Sequence, residues 1–163
     1  MSEPNELVIA PRVAITPVEP LRTWSADCWR CRYCEELVFF APAFRVLARR
    51  FGNHGYFHPN WKPNESPLLI KRGASIDHVL AVTRGGQNTL DNYVSACWEC
   101  NLAKSNDAGW TPTPRQSSSW DGLLAAFVGL ARSGDYVPDA TDKKWLHAVE
   151  TLGLAKATSI STS

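Results

Sequence analysis

The spacing of apolar positions changes several times along the chain. Residues 1–21 alternate apolar and polar at Leu7, Ile9, Val13 and Ile15, among four prolines (Pro4, Pro11, Pro17, Pro20). Proline at that density removes backbone donors and disfavours helix, so this stretch is expected to be an extended, partly disordered arm. Over residues 42–51 the rhythm turns helical, with a proline near the start, Phe44, Leu47 and Phe51 on one face, and Gly52 as a stop. Residues 52–67 are rich in Gly, Asn, His and Pro and read as an irregular loop, in which Gly55 and Pro59 keep His54 and His58 from aligning on a helix. Residues 75–82 and 93–96 read as strands on either side of a turn at 84–88, and residues 97–106 as a helix ending before Gly109. A Pro/Ser linker at 111–119 leads to two amphipathic helices, 120–132 and 142–152, and a polar tail. In the second helix Trp145, Leu146, Val149 and Leu152 recur at helical spacing and Gly153 can end it. The expected class is α+β.

Composition narrows this picture. With 44% hydrophobic and 20% charged residues in 163, the chain has the make-up of a globular domain. Its longest apolar runs, 37–41 and 123–128, are too short to cross a bilayer, and its first residues lack the basic-then-apolar pattern of a cleaved secretion signal. The net charge of +1 hides a basic middle: residues 22–72 hold nine Lys/Arg against four acids. That excess points to a polyanionic partner, with Arg45, Arg49, Arg50, Lys71 and Arg72 as the expected contacts.

The five cysteines change the picture most. They fall at 28, 31, 34, 97 and 100, in two tight clusters. An odd count at C-x-x-C spacing fits a metal site in a reducing, cytoplasmic setting better than a disulfide framework. Two such turns can aim four thiolates at one tetrahedral Zn²⁺. The halves are separated by residues 35–96, far more than the roughly 15–20 residues of a zinc ribbon, so a folded unit must lie between them. Cys28 also stands at C-x-x-C spacing from Cys31 and is an alternative ligand.

Between the clusters, Ile76-Asp77-His78-Val79 sets a polar pair inside an apolar strand, followed by Gly85-Gly86, Asn92 and Cys97-x-x-Cys100-Asn101-x-x-Lys104. In this order these elements resemble the HNH endonuclease family, the ββα-metal nucleases, over residues 31–34 and 76–104. The family often has His where Asn101 stands, and Pro where Ala81 stands. The resemblance implies a small ββα-metal core stapled by a four-cysteine zinc site of Cys31, Cys34, Cys97 and Cys100, the aromatic before the second cysteine favouring this set over Cys28. It spans a nuclease domain over 22–110 with an insertion at about 42–72, between the N-terminal arm and a helical extension at 120–153.

The residue chemistry agrees with that family. An imidazole titrates near neutrality, so His78 suits the base that activates water. A carboxylate from Asp77 and an amide oxygen from Asn101 suit Mg²⁺ or Mn²⁺, which keep waters and take other ligands from phosphate. The resemblance gives Asn92 the task of holding the loop around His78, and Lys104 would reach a phosphate. The expected activity is metal-dependent phosphodiester cleavage, most readily in DNA. A zinc-stabilised nucleic-acid-binding module without cleavage, and a zinc domain for protein contacts, are the competing readings.

Overall fold

The computed structural model describes residues 14–52 and 67–154. The expectations for 1–13, for the loop carrying His54 and His58, and for the tail from 155 lie outside the described residues.

The described residues open with α1 (Val18–Ala26), where an extended arm was expected up to residue 21. Its prolines do not prevent it. Pro17 is the N-cap and Pro20 lies in the first turn, where backbone N–H groups have no intrahelical acceptor to lose. Thr16 reinforces the start by donating its N–H and hydroxyl to Glu19. The first cysteine turn follows, closed by an antiparallel bridge between Arg30 and Leu37.

Next come α2 (Ala41–Phe51) and the short α3 (Pro67–Arg72). A two-stranded antiparallel sheet then forms from β1 (Ala74–His78) and β2 (Tyr93–Cys97), in a register that sets Asp77 opposite Val94 and His78 opposite Tyr93. β1 stops at His78, short of the expected residue 82, because the side chain of Asn92 captures both backbone groups of Leu80. Gly86 closes this loop so tightly that a Cβ there would overlap the Leu80 carbonyl oxygen. β2 runs into α4 (Trp98–Lys104), whose N-cap is Cys97, the sulfur accepting from the Cys100 N–H.

Residues 111–118 form neither helix nor strand, yet they are docked. Thr113 donates its N–H and hydroxyl to the Arg32 carbonyl and accepts from Arg32 Nε. The next helix, α5 (Leu124–Arg132), starts later than expected. Gly122 and Leu123 are left-handed there, and Asp121 accepts from the N–H groups of Leu123 and Ala125 to set the first turn. α6 (Ala140–Thr151) starts with a capping box between Asp139 and Asp142.

The apolar core crosses the sequence boundary near residue 111. Leu21 and Trp24 of α1, Val46 of α2, Phe127 of α5 and Val149 of α6 are buried in one cluster. Phe40 sits at its centre, edge-on to Phe127 at 5.1 Å and to Trp145 at 5.2 Å, while Trp24 stacks on Trp145 at 6.0 Å. The C-terminal helices therefore complete the core that supports the sheet.

Candidate active site and metal centre

Cys31, Cys34, Cys97 and Cys100 come together, their four sulfurs all within 4.8 Å of one another, with Cys34 and Cys97 3.9 Å apart. A Zn–S bond of ~2.3 Å places tetrahedral sulfurs about 3.8 Å apart, so the cluster fits zinc. Cys28 stands outside it as a half-buried free thiol with a left-handed backbone. Hydrogen bonding from Cys97 pulls the Cys31 thiol down to about 5, and the same contact, with burial, pushes Cys97 up. Burial and then the charge of Cys31 push Cys100 up to about 12. Four crowded sulfurs oppose one another's ionisation, and a dication is the partner that relieves this.

The centre ties together both segments that touch the β-hairpin. From the first knuckle, Tyr33 donates to Asp77 Oδ2 at 2.5 Å. Burial, then this hydrogen bond, push the Tyr33 hydroxyl far above its ordinary range, so it stays a donor. From α4, Lys104 Nζ lies 2.9 Å from the same oxygen and donates to the His78 carbonyl at 3.0 Å. Asn101 Nδ2 donates to the Ser75 hydroxyl at 3.0 Å and to the Ile76 carbonyl at 3.3 Å, which holds Asn101 against β1 beside Asp77.

His78 is half-buried at the end of β1. Its Nε2 is 2.8 Å from Asn88 Oδ1, and its ring meets Tyr93 edge-on at 5.0 Å. An amide oxygen can only accept, so this contact forms when Nε2 carries a proton. Asn92 accepts from the Leu80 N–H and donates to the carbonyls of Leu80 and Gln87, so it staples the loop that leaves His78.

Several expected nucleic-acid contacts are engaged elsewhere. Lys104 is 1% exposed and is committed to Asp77 and His78, so it does not reach a phosphate. Arg45 and Arg49 bind the fully buried Asp142 at 2.7 and 3.0 Å, and Arg49 also binds Asp139 at 2.7 Å. They fasten α6 to α2. Arg72 donates to Cys34 Sγ at 3.6 Å, beside the metal centre. Arg50 packs over Phe51 and pairs at 3.8 Å with Asp135, while Lys71 is exposed at the end of α3. Arg45 and Arg49, two residues of the charge excess counted from the sequence, are thus engaged in joining α2 to α6.

The sequence reading missed two polar partners. Asn88 appeared only as a turn residue, although Gly-Gly-x-Asn ten residues beyond a strand histidine can return a side chain to it. Tyr33 appeared only as the aromatic of the knuckle.

A sulfur-cornered hairpin and helix presenting Asp, His and Asn defines a ββα module with a four-cysteine cluster able to hold a metal. Residues 65–107, about a quarter of the chain, match the family model described as HNH endonuclease, so the resemblance carried by the motifs is borne out over that stretch. Comparison with curated proteins and with solved structures returned no match.

Proposed function

We propose that the chain is a metal-dependent endonuclease that hydrolyses phosphodiester bonds, most readily in DNA, with zinc as its structural metal. The observation that carries this reading is the contact of His78 Nε2 with Asn88 Oδ1 at 2.8 Å at the end of the strand that carries Asp77. With Nε2 held there, Nδ1 is the nitrogen that would act as base on a half-buried imidazole. A histidine so held can take a proton from water attacking phosphorus. Asp77 and Asn101 each keep one side-chain oxygen without a hydrogen-bond partner among the described residues, and these two would hold Mg²⁺ or Mn²⁺. Such a cation supplies charge neutralisation at the scissile phosphate. The residues themselves divide the remaining work. His78 moves the proton, Asn92 fixes the loop behind it, and Tyr33 and Lys104 hold Asp77 in place.

The test is nicking of supercoiled plasmid with and without magnesium or manganese, by wild type and His78→Ala. Nicking by the wild type, and a loss of about 100- to 10,000-fold in His78→Ala with zinc content unchanged, is the expected result. One observation favours a second reading, the zinc-stabilised binding module. Asp77 already has a buried ammonium as counter-ion, so its charge is balanced without a divalent cation. Salt-dependent retention of DNA by a wild type that never nicks it would select that module.

A further inference from the structure

Arg32 and Arg115, which no part of the nuclease reading uses, converge on one buried carboxylate. Asp27 is 1% exposed, and its Oδ1 accepts from Arg32 Nη1 at 2.8 Å and from Arg115 Nε at 2.7 Å. Its Oδ2 accepts from the Ser95 N–H of β2 at 2.8 Å. Each guanidinium is thereby fixed by part of its donor set. Arg32 Nη2 and both Nη groups of Arg115 have no partner among the described residues. Two cations on one anion leave a net positive charge with donors to spare.

Both arginines line a cleft of about 430 Å³, within the usual range for small-molecule sites. Its other walls are mixed, with more polar than apolar surface. Val79, Leu90 and Pro112 line it, and Val79 and Leu90 are 38% and 43% exposed. Tyr93 lines the cleft and also meets the ring of His78, and Val79 is the residue after His78. The cleft is therefore linked to the candidate catalytic histidine through Tyr93 and Val79. Asp91 lines it as well, adding an acceptor for an amine.

We infer that this cleft seats one unstacked nucleotide of the strand being cut, its base against Val79, Leu90 and Pro112 and its phosphate on Arg32 and Arg115. The inference rests on the nuclease reading and adds a substrate class to it. The apolar side chains of Val79, Leu90 and Pro112 beside spare guanidinium donors suit a base joined to a phosphate. In an intact duplex the base is stacked and paired, so occupancy selects single-stranded or locally opened nucleic acid.

The test measures binding of a fluorescein-labelled oligothymidylate to the zinc-loaded full chain, without magnesium or manganese, beside the same assay on a duplex. Leu90→Ser removes apolar surface from an exposed position, and Arg115→Gln removes a cation while Arg32 and Ser95 still hold Asp27. Each should weaken single-strand binding about tenfold and duplex binding much less, with zinc content unchanged. Leu90→Ser should keep the unfolding midpoint, and it carries the test should Arg115→Gln, which takes one charge partner from buried Asp27, fail to fold. Unchanged single-strand binding, or equal loss on both substrates, overturns the cleft and leaves plasmid nicking as evidence for the nuclease. A wild type that binds the oligonucleotide through the cleft but cuts nothing overturns the nuclease and keeps the cleft.

Discussion

Replacing Asp142 with alanine separates two roles for the basic residues of α2. Asp142 has no solvent exposure and accepts from Arg45, Arg49, the Tyr136 hydroxyl and the Asp139 N–H. Removing one partner of a buried ion pair costs ~3–5 kcal/mol, because the remaining charge stays desolvated. The arginines here are 27% and 39% exposed and can regain some water, which places the cost near the low end, about 3 kcal/mol. At roughly 2–4 °C per kcal/mol for a chain of this size, the melting midpoint should fall by about 6–12 °C. Urea unfolding followed by tryptophan fluorescence is a suitable assay, since Trp145 of α6 stacks on Trp24 of α1. If Arg45 and Arg49 served nucleic acid instead, Asp142→Ala would release them, raise DNA affinity and leave stability nearly unchanged. A loss below about 1 kcal/mol with tighter DNA binding would refute the structural assignment.

Asp139 gives the same junction a pH signature. The Asp142 N–H, then Arg49, hold its carboxyl well below the ordinary carboxylate range. Its contribution to stability is therefore complete above the unfolded value of about 3.9 and is lost as pH falls through the lower folded value, so Asp139→Asn should flatten the acid limb of a stability–pH curve and leave pH 7 dependence alone. Lys104→Met strands the buried Asp77 and should cost ~3–5 kcal/mol, read by urea denaturation, without changing the salt slope of DNA binding; a reduced slope would return Lys104 to a phosphate. Tyr33→Phe removes a hydrogen bond to a charged acceptor, worth about 1.5–3 kcal/mol, and elemental analysis should still find one zinc per chain. Stripping zinc with a strong chelator, or Cys97→Ser, should unfold the core, since a structural site contributes ~10–16 kcal/mol apparent, whereas Cys28→Ser should keep its zinc.

Much of this was legible in the sequence, for reasons that differ by element. The cysteine spacing and the strand–turn–strand–helix order are local patterns, and each local pattern formed. α1 was missed because proline was weighed by its number, when its position in the first turn decides its effect. The ion pairs of the arginines were hidden for a different reason. A linear count of charge cannot see that Arg45 and Arg49 meet acids some ninety positions later, on α6 and at its cap. Lys104 is the clearest case. Its place one turn beyond Asn101 was readable, but which way it faces depends on how α4 packs against β1, and that direction buries it. Asp27 escaped for the same reason, since its partners Arg115 and Ser95 come together only in the folded chain.

The zinc centre and the candidate catalytic residues form one mechanical unit. The first knuckle contributes Tyr33 to one side of Asp77, and the helix that starts at the second contributes Lys104 to the same oxygen and Asn101 to the strand beneath it. The four sulfurs join the two knuckles, and the first knuckle is also tied to β2 by the Arg32 N–H donating to the Ser95 carbonyl at 2.8 Å and the Ser95 N–H donating to Asp27. Asp77 is thus gripped by two arms that meet at the sulfur cluster and along β2. A two-stranded sheet with a seven-residue helix is too small to hold such a geometry alone, because a short hairpin is marginal in water and a helix of two turns is below the length that persists unaided. The buried aromatic cluster beneath the sheet and the sulfur staple above α4 supply what the module lacks, and this explains why so little regular structure can position a carboxylate, an imidazole and an amide together.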